Sequence, residues 1–385
     1  GIGMHEHQHT APSPTPSKRT FGFRMSHQHL PLAVDLDGTL LKTDMLLESF
    51  LAMVRHNPLT LFMAPFWLLK GKAYLKTQIA LRSAIDVRHL PYRETILGYL
   101  HTEKSKGRKL YLATATHQKY AQEIADHLAV FDGVFASSEQ INLSGTRKRD
   151  ALVKAFGEKQ FVYAGNESVD MPIWRSSAAA IVAGNQGLKK EAESLAPIEQ
   201  HFEDKKNTFK ALVKAFRVHQ WVKNALIFVP LLASHKFGDL QLGLNVVLAF
   251  FAFSACASSV YLINDMLDLA EDRLHPSKRK RPFAAGTLSI LTGMLSVPFL
   301  ILTAIALCFM LPVEFAIVLA AYYALTFAYS FSLKRQVLID VVTLSSLYTI
   351  RIIAGAAAIG VPLSFWLLAF STFLFLSLAI LKRYT

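Results

Sequence analysis

"NDMLDLAEDRLHPSKRKRPFAAG", residues 264–286, places carboxylates and then a run of cations between two long apolar stretches. Those stretches, near 242–264 and 287–310, are long enough to cross a bilayer at roughly 20 residues per span. The charges therefore sit at a membrane rim, where ionisable groups tend to mark function. Working outward, apolar runs follow near 313–333, 338–359 and 362–381, and one precedes near 222–235, so about six spans are expected. Loops after the second and fourth spans carry Arg273, Lys278, Arg279, Lys280 and Arg281, then Lys334 and Arg335. Lys382 and Arg383 follow the last span, whereas the opposite loops hold only Lys236. The positive-inside rule then puts the charged stretch, with everything before residue 216, on the cytoplasmic face of a bacterial inner membrane.

Composition agrees with two unlike halves. Over 385 residues, 52% hydrophobic is high for a water-soluble protein and 18% charged is high for a purely membrane one. The net charge of +13 raises nucleic acid as a partner. The cations crowd at the ends of apolar segments, however, which fits membrane topology instead and leaves no nucleic-acid reading. Cys256 and Cys308 lie inside predicted spans, so no disulfide is expected. Residues 1–30 read as a disordered tail, in which His5, His7, His9, His27 and His29 are solvated rather than metal ligands.

Residues 31–200 alternate short apolar strands with helical segments: "LAVDLD", "KLYLATAT", "GVFAS", "QFVYAGN" and "AAAIVAG". That alternation predicts a parallel, Rossmann-like α/β sheet. Residues 45–103 read as helices only, which suggests an inserted cap. Its run "LTLFMAPFWLL" (59–69) is short and Pro-interrupted. It reads as cap core, with contact to a bilayer surface as the lesser alternative. Residues 201–215 read as a charged linker, and 216–385 as an all-α polytopic membrane domain.

Asp35 and Asp37 close the first strand in "DLDGTL". Carboxylates two apart at a strand's carboxyl end can share Mg²⁺ and leave Asp35 free to attack phosphorus. Thr114 ends the second strand and could hold phosphoryl oxygens. Lys148 in "SGTRKRDAL" could neutralise them, and "GNESVD" offers Asp170. In this order the four elements resemble the haloacid dehalogenase-like (HAD) phosphatases over about 170 residues. The resemblance implies Asp35 as nucleophile, Asp37 as general acid/base and Asp170 as a metal carboxylate. Asn166 departs from the family's Asp, and an amide is a poorer Mg²⁺ ligand. An active phosphatase and a degenerate regulatory domain both stay open.

In the opening stretch, Asn264, Asp268 and Asp272 are four apart, one helical face, with Asp265 beside them. Carboxylates on one face can hold Mg²⁺, and Mg²⁺ can hold a diphosphate. The alternative is a solvated helix end with local ion pairs. The pattern NDxxDxxxD after the second span resembles the UbiA superfamily of membrane prenyltransferases. The extension from Arg273 through Gly286, with "QWVKN" (220–224) and "YSFSLKRQVLID" (329–340), resembles its decaprenyl-phosphate phosphoribosyltransferase branch. That resemblance implies transfer of phosphoribose from phosphoribosyl diphosphate to a polyprenyl phosphate. Asp265, Asp268 and Asp272 would hold Mg²⁺. Lys278, Arg279 and Arg281 would take the donor's separate 5-phosphate through charge-assisted bonds. Lys223 and Lys334 could meet a substrate phosphate or serve only as topological anchors.

Arg351 falls deep in the fifth span, where a cation is costly unless it is paired or lines a cavity. Asp340, eleven residues earlier, shares its helix face roughly 16 Å away, so both are expected to line one descending cavity. Two rivals remain: prenyl transfer to an aromatic acceptor, and a membrane-anchored sensor with no reaction. Relatives in this superfamily carry further spans and a second acidic motif. The chain's end at "LKRYT" is therefore expected to stop inside the transferase domain. Oligomeric state is left open.

Overall fold

The computed structural model describes residues 27–236, 238–331 and 336–384. The tail before His27, with His5, His7 and His9, and also Lys334, lie outside the described residues. Six parallel strands form one sheet in the order β3-β2-β1-β4-β5-β6. They are β1 (Leu32–Val34), β2 (Leu110–His117), β3 (Gly133–Ser137), β4 (Val162–Gly165), β5 (Ala179–Ala183) and β6 (Ile198–Phe202). β1 and β5 are buried throughout, as parallel strands covered on both faces must be, and this makes their apolar runs continuous rather than alternating. The expected α/β sheet is therefore present. The sixth strand was not expected, because "IEQHF" is half polar and only partly buried at the sheet edge. The chain crosses from β3 over to β4 beside β1. In such sheets that reversal opens a crevice at the strands' carboxyl ends.

Between β1 and β2 the regular elements are all helical. They are α1 (Met45–His56), a 3₁₀ turn Pro58–Phe62, a short helix Ala64–Leu69, α2 (Lys72–Leu81), a 3₁₀ turn Val87–His89 and α3 (Glu94–Ser105). The remaining sheet helices are α4 (Gln118–Leu128), α5 (Thr146–Phe156), a short helix Met171–Arg175 and α6 (Gln186–Glu193). Segment 59–69 departs from its reading as cap core. Thr60 and Trp67 are buried, but Leu59, Phe62, Phe66 and Leu69 are exposed. The stretch read as a linker, 201–215, carries the end of β6 and an amphipathic helix, α7 (Thr208–Phe216).

Among the described residues, five helices are long and apolar enough to cross a membrane: α8 (Leu240–Leu267), α10 (Ile290–Cys308), α11 (Val313–Phe331), α12 (Val337–Ile359) and α13 (Phe365–Tyr384). The short α9 (Leu269–Leu274) follows α8. The first of the expected spans, 222–235, is not among them. It winds instead as a 3₁₀ segment, Val218–Phe228, and a five-residue helix, Val229–Ala233. The tight winding lets backbone approach α12, where a Cβ on Gly355 would lie 2.1 Å from the Ile227 carbonyl oxygen. α8 is the central helix, 67% buried over its apolar window, and its run Ser254–Ser259 explains why. Small side chains let neighbouring backbones come close, and hydroxyls bond across helices. Ser258 Oγ donates to the Phe216 carbonyl at 2.7 Å, and Asn224 Nδ2 donates to Ser254 Oγ at 3.0 Å.

The Gly355 contact has a direct test. Gly355→Ala is expected to lower stability in detergent by about 1–3 kcal/mol, the usual range for overpacking. Thermal unfolding followed by fluorescence reads this. An unchanged midpoint would mean that the 218–228 segment does not pack as described.

Candidate functional sites

The soluble site sits at the carboxyl ends of β1, β2 and β4. Gly38 turns the chain after Asp37 at φ +76°, and a Cβ there would meet the Asn166 side-chain amide at 2.2 Å. Arg93, buried and ion-paired to Asp204, donates to the Thr39 and Gly38 carbonyls at 2.9 and 3.0 Å, which fixes that loop. Asp35 Oδ1 accepts from Lys148 Nζ at 3.0 Å. Burial pushes the Lys148 ammonium down, but the charges of Asp35 and Asp170 outweigh it and hold its pKa above the ordinary value. Asp37 accepts from Met45 N–H and from Thr116 Oγ1, both at 3.0 Å. Burial first, and then the charge of Asp44, raise its carboxyl well above the usual range. Asp170 accepts from Tyr163 Oη at 3.1 Å and from the Asn166 and Glu167 amides at 3.0 and 3.2 Å. Burial and the nearby Asp35 charge push it up to about 7.

Asp35, Asp37, Lys148 and Asp170 thus line one cavity of about 210 Å³. Thr114 does not line it. It is fully buried and its Oγ1 accepts from the Thr116 amide at 3.0 Å. β2 runs on to His117, so the hydroxyl that reaches the cavity is two residues later, at Thr116. Lys76 also lines the cavity, and no motif marked it. Its ammonium donates to the Ala115 carbonyl at 2.7 Å and to Asn142 Oδ1 at 2.6 Å.

The crowding of Asp35, Asp37 and Asp170, with two carboxyls raised, is the charge pattern a divalent cation would relieve. The donors are hard oxygens, as Mg²⁺ prefers. Asn166 is the exception. With its amide nitrogen turned inward it donates to Asp35 Oδ2 at 3.3 Å, and to the Asp37 carbonyl and Thr39 Oγ1 at 3.2 Å each. The nitrogen stands among oxygens that would surround a cation, and loading an ion requires the amide to rotate and present its oxygen.

The membrane site is built around a helix break. α8 ends at Leu267, and Asp268 caps it at φ −96°, ψ 16°, before the short α9 begins. The residues expected on one face divide between different partners. Asp272 and Asp265, seven residues and two turns apart, converge on Arg281. The Arg281 guanidinium donates to Asp265 Oδ1 at 3.3 Å and to Asp272 Oδ2 at 3.2 Å. Asp265 also accepts from Arg217 Nη2 at 2.7 Å. Asp268 faces away and is ion-paired to Arg55 on α1. Lys278 and Arg279 lie exposed on a 3₁₀ turn, so of the three expected cations only Arg281 reaches the carboxylates.

Arg217 links this cluster to a cavity of about 320 Å³, also lined by Lys223, Asn264, Tyr261, Tyr322 and Arg351. Sequence pattern missed Arg217 because its placement depends on backbone. It takes the left-handed conformation at φ 50° to cap α7. Arg351 is satisfied inside the bundle: Nε donates to Asn224 Oδ1 at 2.8 Å, and the guanidinium lies 5.2 Å from the Tyr322 ring centroid. Asp340 does not join it in that cavity, and pairs with Arg383 of α13 at 2.9 Å.

Among the described residues no three His, Cys, Asp or Glu side chains stand close enough to hold a metal ion as they lie. Asp265 and Asp272 nevertheless already share one cation, the Arg281 guanidinium. Asp265 and Asp272 are thus the carboxylates that face one shared cation, while Asp268 is held by Arg55.

The rest of the charged stretch holds the two halves together. Arg273 donates to Glu48 of α1 through both terminal nitrogens, at 2.8 and 2.6 Å, with both side chains buried. Arg55 donates to the Leu267 carbonyl at 2.9 Å and pairs with Glu271 at 2.8 Å. Gly286, at φ +76°, abuts Lys42 so closely that a Cβ would fall 2.7 Å from it.

Residues 225–384 match the model of the UbiA prenyltransferase family. An uncharacterized protein, y4nM of Sinorhizobium fredii, is 40% identical over 359 residues, covering 92% of this chain and 69% of that one. The chain belongs to the UbiA prenyltransferase family. The decaprenyl-phosphate phosphoribosyltransferase of Mycolicibacterium smegmatis is 40% identical to this UbiA member over 190 residues, 46% of the chain and 58% of the relative. The chain thus spans little more than half of that curated relative's length. The soluble half is similar to a HAD family hydrolase from Salmonella enterica at 14% identity and a TM-score of 0.33, over 45% of this chain and 66% of that one. Its HAD-like character rests on the motif order and the strand order described above.

Replacing either partner of the Glu48–Arg273 pair leaves a buried charge uncompensated, at a cost of about 3–5 kcal/mol. Glu48→Ala and Arg273→Ala are each expected to lower thermal stability and speed protease cleavage near 203–207. The double variant should be little worse than either single one. Strictly additive losses would show that the pair does not join the domains.

Proposed function

We propose that the membrane half transfers 5-phosphoribose from phosphoribosyl diphosphate to a polyprenyl phosphate, with Mg²⁺, on the cytoplasmic side of a bacterial inner membrane. The observation that carries this reading is the juxtaposition of the Asp265–Arg281–Asp272 cluster with the arginine- and lysine-lined cavity. A donor with two separate phosphate groups needs cations beyond those that hold its diphosphate. Arg217, Lys223 and Arg351 supply them inside the cavity. Sequence similarity to relatives named decaprenyl-phosphate phosphoribosyltransferase supports the same substrates. The cations at 273–281, against Lys236 alone on the opposite side, support the cytoplasmic orientation.

A divalent ion between Asp265 and Asp272 would neutralise charge building on the departing diphosphate. As the bond from the anomeric carbon to the diphosphate oxygen breaks, positive charge spreads over the sugar. Tyr261, Tyr322 and Tyr348 line the same cavity, and their ring faces hold the Arg217 and Arg351 guanidiniums in place. A lipid phosphate oxygen then forms the new bond. It is already anionic and needs no general base, so catalysis comes from positioning and charge stabilisation.

We further propose that the soluble half removes the product's 5-phosphate. Asp35 would attack phosphorus while Lys148 neutralises the phosphoryl oxygens. Asp37, whose carboxyl pKa is pushed up by burial and the Asp44 charge, would give its proton to the leaving sugar oxygen. Water would then release inorganic phosphate from the Asp35 acyl phosphate. Asp170 and a rotated Asn166 are the groups that would hold Mg²⁺ there.

Labelled phosphoribosyl diphosphate and polyprenyl phosphate, incubated with full-length protein in membranes, should give a labelled lipid and then free phosphate. Asp35→Asn is expected to abolish phosphate release while labelled lipid still forms. Asn166→Asp is expected to lower the Mg²⁺ concentration needed for release at least tenfold. If no labelled lipid forms while a labelled prenyl diphosphate is transferred to an aromatic acceptor, the reading is wrong. If neither donor reacts, a sensor without a reaction takes its place.

A further inference from the structure

Segment 57–73 of the soluble half has its polarity reversed for a surface in water. Thr60 and Trp67 face inwards, Trp67 packing with Met53 and Ile79 in a small core of their own. The outward face is apolar: Leu59, Phe62 and Phe66 are each 70% exposed and Leu69 85%, with Leu61, Met63 and Leu68 beside them. Seven large apolar side chains on two short helical turns exceed the scattered exposure normal for soluble proteins. The fold builds this face deliberately, because the inner side is pinned by its own core and by the Arg82 guanidinium 4.6 Å above the Trp67 ring.

Location and charge identify what covers it. The segment starts directly after α1, whose Arg55 donates to the Leu267 carbonyl at the cytoplasmic end of the central span α8. Leu59 follows Arg55 by four residues, at most about 14 Å of chain. The apolar face therefore emerges at the level of the membrane rim. No Asp or Glu occurs between 57 and 73, and exposed Lys70 and Lys72 close the segment. An apolar face edged by lysines matches a bilayer interface with anionic headgroups, into which such faces sink roughly 5–10 Å.

We propose that Pro58–Leu69 is a monotopic membrane anchor, lying in the cytoplasmic lipid interface with Leu59, Phe62, Phe66 and Leu69 in the acyl region and Lys70 and Lys72 at the headgroups. The inference needs only a membrane-embedded chain and does not depend on which reaction it performs. Its consequence is steric. α2 follows the anchor directly and carries Lys76 into the phosphatase-like cavity, while Met45, Leu46 and Ser49 of α1 line the same cavity. An anchor at this point holds the cavity at the lipid surface, within reach of phosphates borne on membrane lipids.

The test is photo-crosslinking of full-length wild-type protein in nanodiscs containing phosphatidylglycerol and a phospholipid with a diazirine high on its acyl chain. Crosslinked peptides are then mapped by mass spectrometry. Adducts on 57–73 are expected at a yield comparable to those on the ends of α8 and severalfold above any on the exposed helix end near Glu158. A second reading uses spin labels at Phe62→Cys and Phe66→Cys in a Cys256→Ala/Cys308→Ala background. Oxygen should collide with both labels several times more often than a water-soluble nickel chelate, with the opposite order at Glu158→Cys. Adducts no more frequent than near Glu158, or labels reached mainly by the chelate, would overturn the anchor. So would labels shielded from both reagents, because a second protein surface would then be the occupant.

Discussion

The two halves meet through the bidentate Glu48–Arg273 pair, and both candidate sites are arranged around it. Taking two charges out of water is costly, and only near-ideal geometry with further hydrogen bonds offsets it. Here Glu48 also accepts from Thr43 Oγ1 at 2.7 Å, and Arg273 Nε donates to the Ala284 carbonyl at 3.1 Å. The pair seats α1 on α9 and aligns Arg55 with Asp268 and Glu271. α1 begins at Asp44 beside Asp37 and ends at Arg55 on the membrane rim. A 12-residue helix of roughly 18 Å therefore separates the two chemistries.

The stretch 264–286 divides its charges accordingly. Asp265, Asp272 and Arg281 form one cluster facing Arg217 and the bundle cavity. Asp268, Glu271 and Arg273 face the soluble half. The partners make this division, since Arg55 of α1 holds Asp268 while Arg281 holds Asp265 and Asp272. A charge pattern that looks redundant for either role alone is thus two interleaved sets of contacts.

Much of the architecture was legible because its signals are local. Strands buried on both faces must be continuously apolar, and spans must be long and apolar, so the sheet and the membrane helices stood out. The Asp35, Asp37, Lys148 and Asp170 spacing was readable because each residue closes a strand or opens the helix beside it. What was not legible depended on backbone conformation or on partners distant in sequence. Nothing in "MLDLAED" announces that Arg55, more than two hundred residues earlier, takes Asp268 while Arg281 joins Asp265 to Asp272. Arg217 reaches Asp265 only from a left-handed cap. Thr116 replaces Thr114 at the cavity because β2 runs further than its apolar core suggests. Segment 59–69 had the composition of a core, and its exposure became visible only once Trp67 was its one large apolar side chain turned inwards.

In the proposed reaction Asp265 and Asp272, without Asp268, form the cation-holding pair of the membrane site. Mn²⁺ binding measured by electron paramagnetic resonance tests it most directly, in an Asp35→Asn/Asp170→Asn background that silences the soluble site. Asp265→Asn and Asp272→Asn should each abolish donor-dependent Mn²⁺ binding, while Asp268→Asn retains it within about threefold, or under 1 kcal/mol. Loss of binding in Asp268→Asn equal to that in the other two would contradict the account.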